Sequence, residues 1–313
     1  MLDNTLNTTC LTNTTCLTNT TCVANITGLT NTTCFTDMPC KVDPLQGVGY
    51  GLLFLLGFLV NAAALRAFIA QRDSWTDTHV YMFNLAIADF ALVLFIPFRV
   101  VDAFICLPKT YLCTFLIFTH YINMYASIMT TTAISVQRYL AIRFPIQTRS
   151  WRKKKQTAFV VCLVIWGLLV MICSIFHKDN APHKLWTCYE RCKNLPLKLE
   201  FLLLVVFVGF LAPLLIIVFC SSQIISILKK LDEKSLKRKS TISIVTANMI
   251  VFIVCYTPIH ISFLVNFYND VPSDWWCNPI PAHLYLLFSE WIASTNCCFD
   301  SISYYFLLTR YYS

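Results

Sequence analysis

Residues 111–145 read YLCTFLIFTHYINMYASIMTTTAISVQRYLAIRFP. No Asp, Glu, Lys or Arg interrupts the run until Arg138. At about 1.5 Å of rise per helical residue, Cys113 and Arg138 stand about 37 Å apart, at opposite faces of one long helix. That span exceeds a hydrocarbon core of about 30 Å. Two more apolar stretches precede it, at 47–70 and 79–104, and four follow, at 156–176, 199–228, 241–267 and 281–308. The pattern predicts an all-α membrane protein: a seven-transmembrane helix bundle over 45–310. Composition agrees, because 57% of the 313 residues are hydrophobic and 13% charged, against about 25% charged in a soluble domain. Pro97, Pro213 and Pro258 fall inside spans and predict kinks, which membrane helices tolerate when neighbours satisfy the freed carbonyl.

Outside the spans the chain is punctuated by charge and sequons. Residues 1–44 repeat every six positions: Asn7, Asn13, Asn19, Asn25 and Asn31 each begin an Asn-x-Thr sequon, and Cys10, Cys16, Cys22, Cys34 and Cys40 keep the same period. A polar, Thr-rich segment cannot bury a core, so this reads as a disordered, N-glycosylated extracellular arm, or as the record of a duplicated short unit. Five of the 16 cysteines lie there, which suits an oxidising compartment. No secretory leader is visible, so the first helix is expected to serve as its own insertion signal. About two thirds of the Lys and Arg residues fall in the loops that lie inside when the N-terminus is outside. The placement of the +8 net charge therefore marks membrane topology, with no nucleic acid as partner; a multi-pass plasma-membrane protein is the expected location. Residues 311–313 read as a very short cytoplasmic tail, and Thr309 and Ser313 are the Ser/Thr candidates at this end of the chain.

Several polar residues recur in a fixed order along the spans. They are Asn61; Asn84-Leu85-Ala86-x-Ala88-Asp89; Cys113, Ser127 and Gln137-Arg138-Tyr139; Trp166; Pro213; Phe252-x-x-Cys255-Tyr256-Thr257-Pro258; and Asn296-Cys297-Cys298-Phe299-Asp300-Ser301-Ile302-Ser303-Tyr304. In this order and spacing the set resembles the rhodopsin-like family of G-protein-coupled receptors over about 45–310. The Asn-Cys-Cys-x-Asp run is similar to the purinergic-like branch that includes protease-activated and lysophospholipid receptors. Ser301, in place of the usual proline, resembles the lysophosphatidylinositol receptor and its kynurenate-responsive relative.

The resemblance implies a disulfide between Cys113 and Cys188, with Cys192 as a competitor, and a second between Cys40 and Cys277. It implies that Asp89, Ser127, Asn296 and Asp300 converge on an allosteric sodium ion; the alternative is a protonated or water-bonded cluster with no ion. No other cofactor is expected. Arg138 would engage a heterotrimeric G protein, flanked by Gln137 where an aspartate is usual and by Tyr139. An amide cannot neutralise a guanidinium, and Arg238 stands where some members place a second restraining acid. Raised basal signalling is one expectation, compensation by other contacts the other. Tyr256 replaces the usual tryptophan above Phe252, Tyr304 matches the tyrosine that moves inward on activation, and Ser221 replaces that tyrosine's usual partner.

For the ligand, His120 stands where amine receptors carry aspartate and Ser294 where opsins carry lysine, which argues against an amine or retinal. Arg99 lies within a span and is expected to face the bundle, where a guanidinium suits a carboxylate or phosphate. The alternative is a structural pair with Glu290. Lys193 and its basic neighbours add charge at the mouth, and Tyr121, Met124, Tyr125 and Phe263 would take an apolar tail. His120 and His260 are either pocket residues or packed histidines. An anionic small-molecule or lipid-like ligand fits both halves. The basic run from Arg149 to Lys155 suits anionic lipid as well as a G protein. No catalytic constellation or zinc-type metal motif appears, so an enzyme is not expected. A transporter would show internal repeats, and none is visible. A receptor that binds without signalling, or signals constitutively, remains the competing reading.

Overall fold

The computed structural model describes residues 42–70, 72, 75–151, 155–192, 198–230, 236–268 and 281–310. The sequons at Asn7, Asn13, Asn19, Asn25 and Asn31, the expected Cys40–Cys277 bridge, Lys193 and the tail at 311–313 lie outside the described residues. Seven long helices are present among them: α1 Pro44–Ala70, α2 Asp77–Ile105, α3 Tyr111–Arg143, α4 Lys155–Phe176, α5 Leu199–Lys230, α6 Leu236–Tyr268 and α7 Pro281–Arg310. The first six are long and apolar enough to cross a membrane. The seventh is as long but more polar, with Ser289, Glu290, Ser294, Asn296, Asp300 and Ser301 along it. Each predicted span is found. The helices outrun the apolar runs at their ends, most clearly at α6, which starts five residues before the predicted 241.

Local chemistry sets the helix ends. The Asp43 carboxylate accepts from the Gln46 N–H at 3.1 Å, capping α1 just before Pro44. The Asp43 N–H donates to the Ala103 carbonyl, which ties the start of α1 to the end of α2. At the start of α2, the Thr76 N–H donates to His79 Nδ1. Helix α3 stops at Arg143, before the Phe144-Pro145 step, where the residue ahead of proline leaves the helical region. In α5 the turns widen to a π-helix over Leu204–Leu211, and the Ala212 N–H reaches back five residues to the Phe207 carbonyl. Pro213 follows at once; its ring would otherwise press on the carbonyl of Gly209, four residues back. Gly209 faces Tyr125, and a Cβ there would lie 2.8 Å from the ring, so α5 meets α3 closely at this level.

Helix α3 runs through the middle, packed against α2, α4 and α5, while α1 lies against α2 and α7, and α6 against α5 and α7. The largest core cluster joins α3, α5 and α6 through Met124, Tyr125, Phe210, Phe252, Tyr256 and Phe263. The outward faces carry exposed Leu55, Leu59, Leu163 and Leu215, a surface suited to lipid rather than water. Among the described residues no strand forms, and one antiparallel bridge pairs Leu185 with Arg191 in the segment after α4. This hairpin is fastened over the start of α3 by the Cys113–Cys188 disulfide. The Thr114 hydroxyl adds a bond to the Asn180 carbonyl. Cys192 is held in a different disulfide, and Cys106 at the end of α2 is also disulfide-bonded.

Candidate functional site

At the Cys113 end of the bundle, α2, α3 and α7 converge on one guanidinium. Arg99 is 5% exposed and its Nη2 donates to Glu290 Oε2 at 2.5 Å. The other carboxylate oxygen accepts from the Tyr121 hydroxyl at 3.0 Å. The guanidinium carbon lies 4.4 Å from the Tyr50 ring centre and 5.1 Å from that of Tyr189. A cation in this setting has given up its water and is compensated by one carboxylate and two aromatic faces. Arg99 Nε remains buried with no hydrogen-bond partner, so the fork has more donors than Glu290 occupies. Tyr189 comes from the disulfide-fastened hairpin. Burial pushes its phenol well above the usual range, with nearby Arg99 pulling the other way, so the ring stays neutral. Beyond this cluster, His283 at the start of α7 lies 3.1 Å from Glu190 of the hairpin.

Below the pair, the two histidines that the sequence treats alike part company. His260 has both nitrogens engaged: Nδ1 donates to the Tyr256 carbonyl at 2.7 Å, so Nε2 is left to accept from the Tyr125 hydroxyl at 3.3 Å. Its ring stacks on Phe210 at 4.3 Å, which is the arrangement of a packed histidine. His120 lies edge-on to Tyr121, and its buried Nε2 has no partner. Phe263 stands edge-on to His260 and 6.2 Å from the Tyr121 ring. Beneath His120, a small cavity is bordered by Asn123, Met124, Tyr256, Ser294 and Asn296.

At mid-depth a polar knot joins α3, α6 and α7. Ser127 Oγ donates to Asp300 Oδ2 at 3.0 Å and accepts from the Tyr256 hydroxyl at 2.9 Å. The Asn296 amide donates to Ser127 Oγ at 3.0 Å and to the same Asp300 oxygen. Asp89 is 1% exposed and stands outside this hydrogen-bonded group, with both carboxylate oxygens lacking a partner. A second knot ties α1 to α7. The Asn61 amide donates to the carbonyls of Gly57 and Cys297, and its oxygen accepts from Ser301 at 2.6 Å. The serine that replaces a proline is thus a helix–helix contact.

At the opposite end, Arg138, Ser221 and Asp300 border one small cavity among α3, α5, α6 and α7. The side-chain oxygen of Gln137 accepts from the Thr78 hydroxyl of α2 at 3.4 Å. The Tyr139 ring meets Phe219 edge-on at 5.7 Å. The Tyr304 side chain lies outside the described residues. Sequence reading missed Tyr50, Tyr189, Thr78 and the bond from Tyr256 into the knot. Each depends on the register between helices, which one chain's periodicity does not carry.

The chain matches the family model described as 7 transmembrane receptor (rhodopsin family) over residues 60–304. It is 32% identical over 266 residues to G-protein coupled receptor 35 of Homo sapiens, covering 83% of each chain. To G-protein coupled receptor 55 of Mus musculus it is 30% identical over 281 residues, 82% of this chain and 84% of that one. To Lysophosphatidic acid receptor 6 of Gallus gallus it is 31% identical over 280 residues, 84% and 89% of the respective chains.

The knot predicts a measurable coupling. In a double-mutant cycle on the detergent-solubilised protein, Tyr256→Phe and Ser127→Ala should each lower stability by about 1 kcal/mol, with a coupling of about 0.5 kcal/mol or more between them. Additive losses would contradict the bond.

Proposed function

The chain belongs to the rhodopsin family of seven-transmembrane receptors, and from that premise we propose that it is a plasma-membrane G-protein-coupled receptor for a ligand bearing an anionic group and an apolar body. The observation that carries this reading is Arg99: a buried guanidinium in the bundle whose Nε has no hydrogen-bond partner, with Tyr121 on its counter-ion Glu290 and Phe263 6.2 Å from the Tyr121 ring. A buried charge within a membrane bundle is costly and marks function more often than stability. The similarity to a lysophosphatidic acid receptor supports an acidic lipid-like ligand. In this reading the Cys113 end faces outward and the cavity beside Arg138 faces the heterotrimeric G protein inside, consistent with the basic loops at the Arg138 end.

Asp89 would also hold a sodium ion with Ser127, Asn296 and Asp300. Two buried carboxylate oxygens without partners and neighbouring hydroxyl, amide and carboxylate oxygens are hard donors that suit a small hard cation. The ion would supply the positive charge that Asp89 otherwise lacks.

Two experiments test these assignments. A panel of lysophospholipids and small aromatic carboxylates, read by G-protein dissociation, should contain an anionic agonist whose potency falls about thirtyfold or more in Arg99→Ala at matched surface expression. Unchanged potency would overturn the anchor. Raising sodium should lower that agonist's affinity in the wild type and leave Asp89→Asn indifferent; no sodium effect in either protein would remove the ion.

A further inference from the structure

The charge of the Arg99 cluster is balanced. Glu290 answers Arg99 directly, both side chains are under a tenth exposed, and Tyr121 holds the remaining carboxylate oxygen. A ligand with only an anionic head that took the guanidinium would leave Glu290 buried with a phenol as its remaining partner. Removing one member of a buried pair is strongly unfavourable because the other charge is left uncompensated. A ligand with only an ammonium group would strand Arg99 in the same way. A ligand carrying both charges strands neither.

We infer that the pair Arg99–Glu290 opens to admit a zwitterionic head group, with the ligand's anionic group on Arg99 and its ammonium group on Glu290. The inference rests on the anionic-ligand reading and narrows it. Two features of the cluster favour such an exchange. Arg99 Nε is a donor with no acceptor, so an incoming anion has a first contact before Glu290 is released. Glu290 is held from its other side by Tyr121, so it stays in place when its cation leaves. The Tyr50 and Tyr189 rings already face a cation at this spot, and an ammonium group entering beside them gains from the same aromatic faces. Below, the unpartnered Nε2 of His120 and the edge of Phe263 mark where the rest of the ligand would lie. A purely structural pair predicts none of this selectivity.

The test compares matched ligands that differ by one charged group. One set is lysophosphatidylethanolamine against lysophosphatidylethanol with the same acyl chain; the other is tryptophan against indole-3-propionate; the second member of each set lacks only the amine. With the full chain in cells and G-protein dissociation as the readout, the zwitterion of the active set should be about tenfold or more the stronger. Glu290→Gln, which keeps the size and the Tyr121 contact, should erase that preference, and Glu290→Asp should retain it. If the anion is stronger and Glu290→Gln leaves the ratio unchanged, while Arg99→Ala still silences it, the zwitterion inference falls and the anionic reading stands. If the active ligands ignore Arg99→Ala, both fall.

Discussion

A charge inside a bilayer is costly unless it finds its opposite, and in this bundle Arg99 finds it in Glu290. The contact joins α2 to α7, and the elements around it are arranged to keep it dry. Tyr50 closes it from α1, Tyr121 from α3, and Tyr189 from the hairpin that the Cys113–Cys188 bond fastens in place. A buried ion pair of this kind is poor evidence for stability, because well-packed apolar residues often serve as well or better. In the proposed reading its value lies in what can replace either partner.

The rest of the interior follows the rule that polar groups in lipid are satisfied within the protein. Asn61 spends its amide and its oxygen on α1 and α7. Ser127 collects Tyr256, Asn296 and Asp300, and the Trp166 indole donates to Asn84, tying α4 to α2. Three of the groups that break the rule are Arg99 Nε, His120 Nε2 and the oxygens of Asp89, and they lie in helix order from the Cys113 end towards the middle of the bundle. They mark a line from the proposed ligand site to the proposed ion site. Tyr256 stands beside that line, its carbonyl on His260 and its hydroxyl on Ser127.

Much of this was legible in the sequence, for physical reasons. Seven apolar runs of spanning length leave one architecture, and a charged residue such as Arg99 in such a run has to face inward. Ser127, Asn296 and Asp300 were expected to meet, and they do; Asp89 was expected with them and stands apart from their hydrogen bonds. The start of α6 was placed late because Lys237, Arg238 and Lys239 read as loop by hydropathy, although a helix continues past the apolar core wherever its backbone bonds can. The aromatic wall of Tyr50 and Tyr189 was invisible, since a tyrosine facing a guanidinium and one facing a lipid headgroup look alike in one sequence. The same holds for Thr78 and Gln137, whose meeting depends on how α2 is set against α3.

The central claim is that the Arg99–Glu290 pair is kept for binding and not for folding. The most direct measurement replaces both partners at once, as Arg99→Met with Glu290→Met, and reads melting temperature, surface expression and agonist response together. The account predicts a protein as stable as the wild type, within about 1 kcal/mol, that reaches the surface and no longer answers a charged agonist. A double variant that responds with normal potency would show the pair to be a structural contact alone.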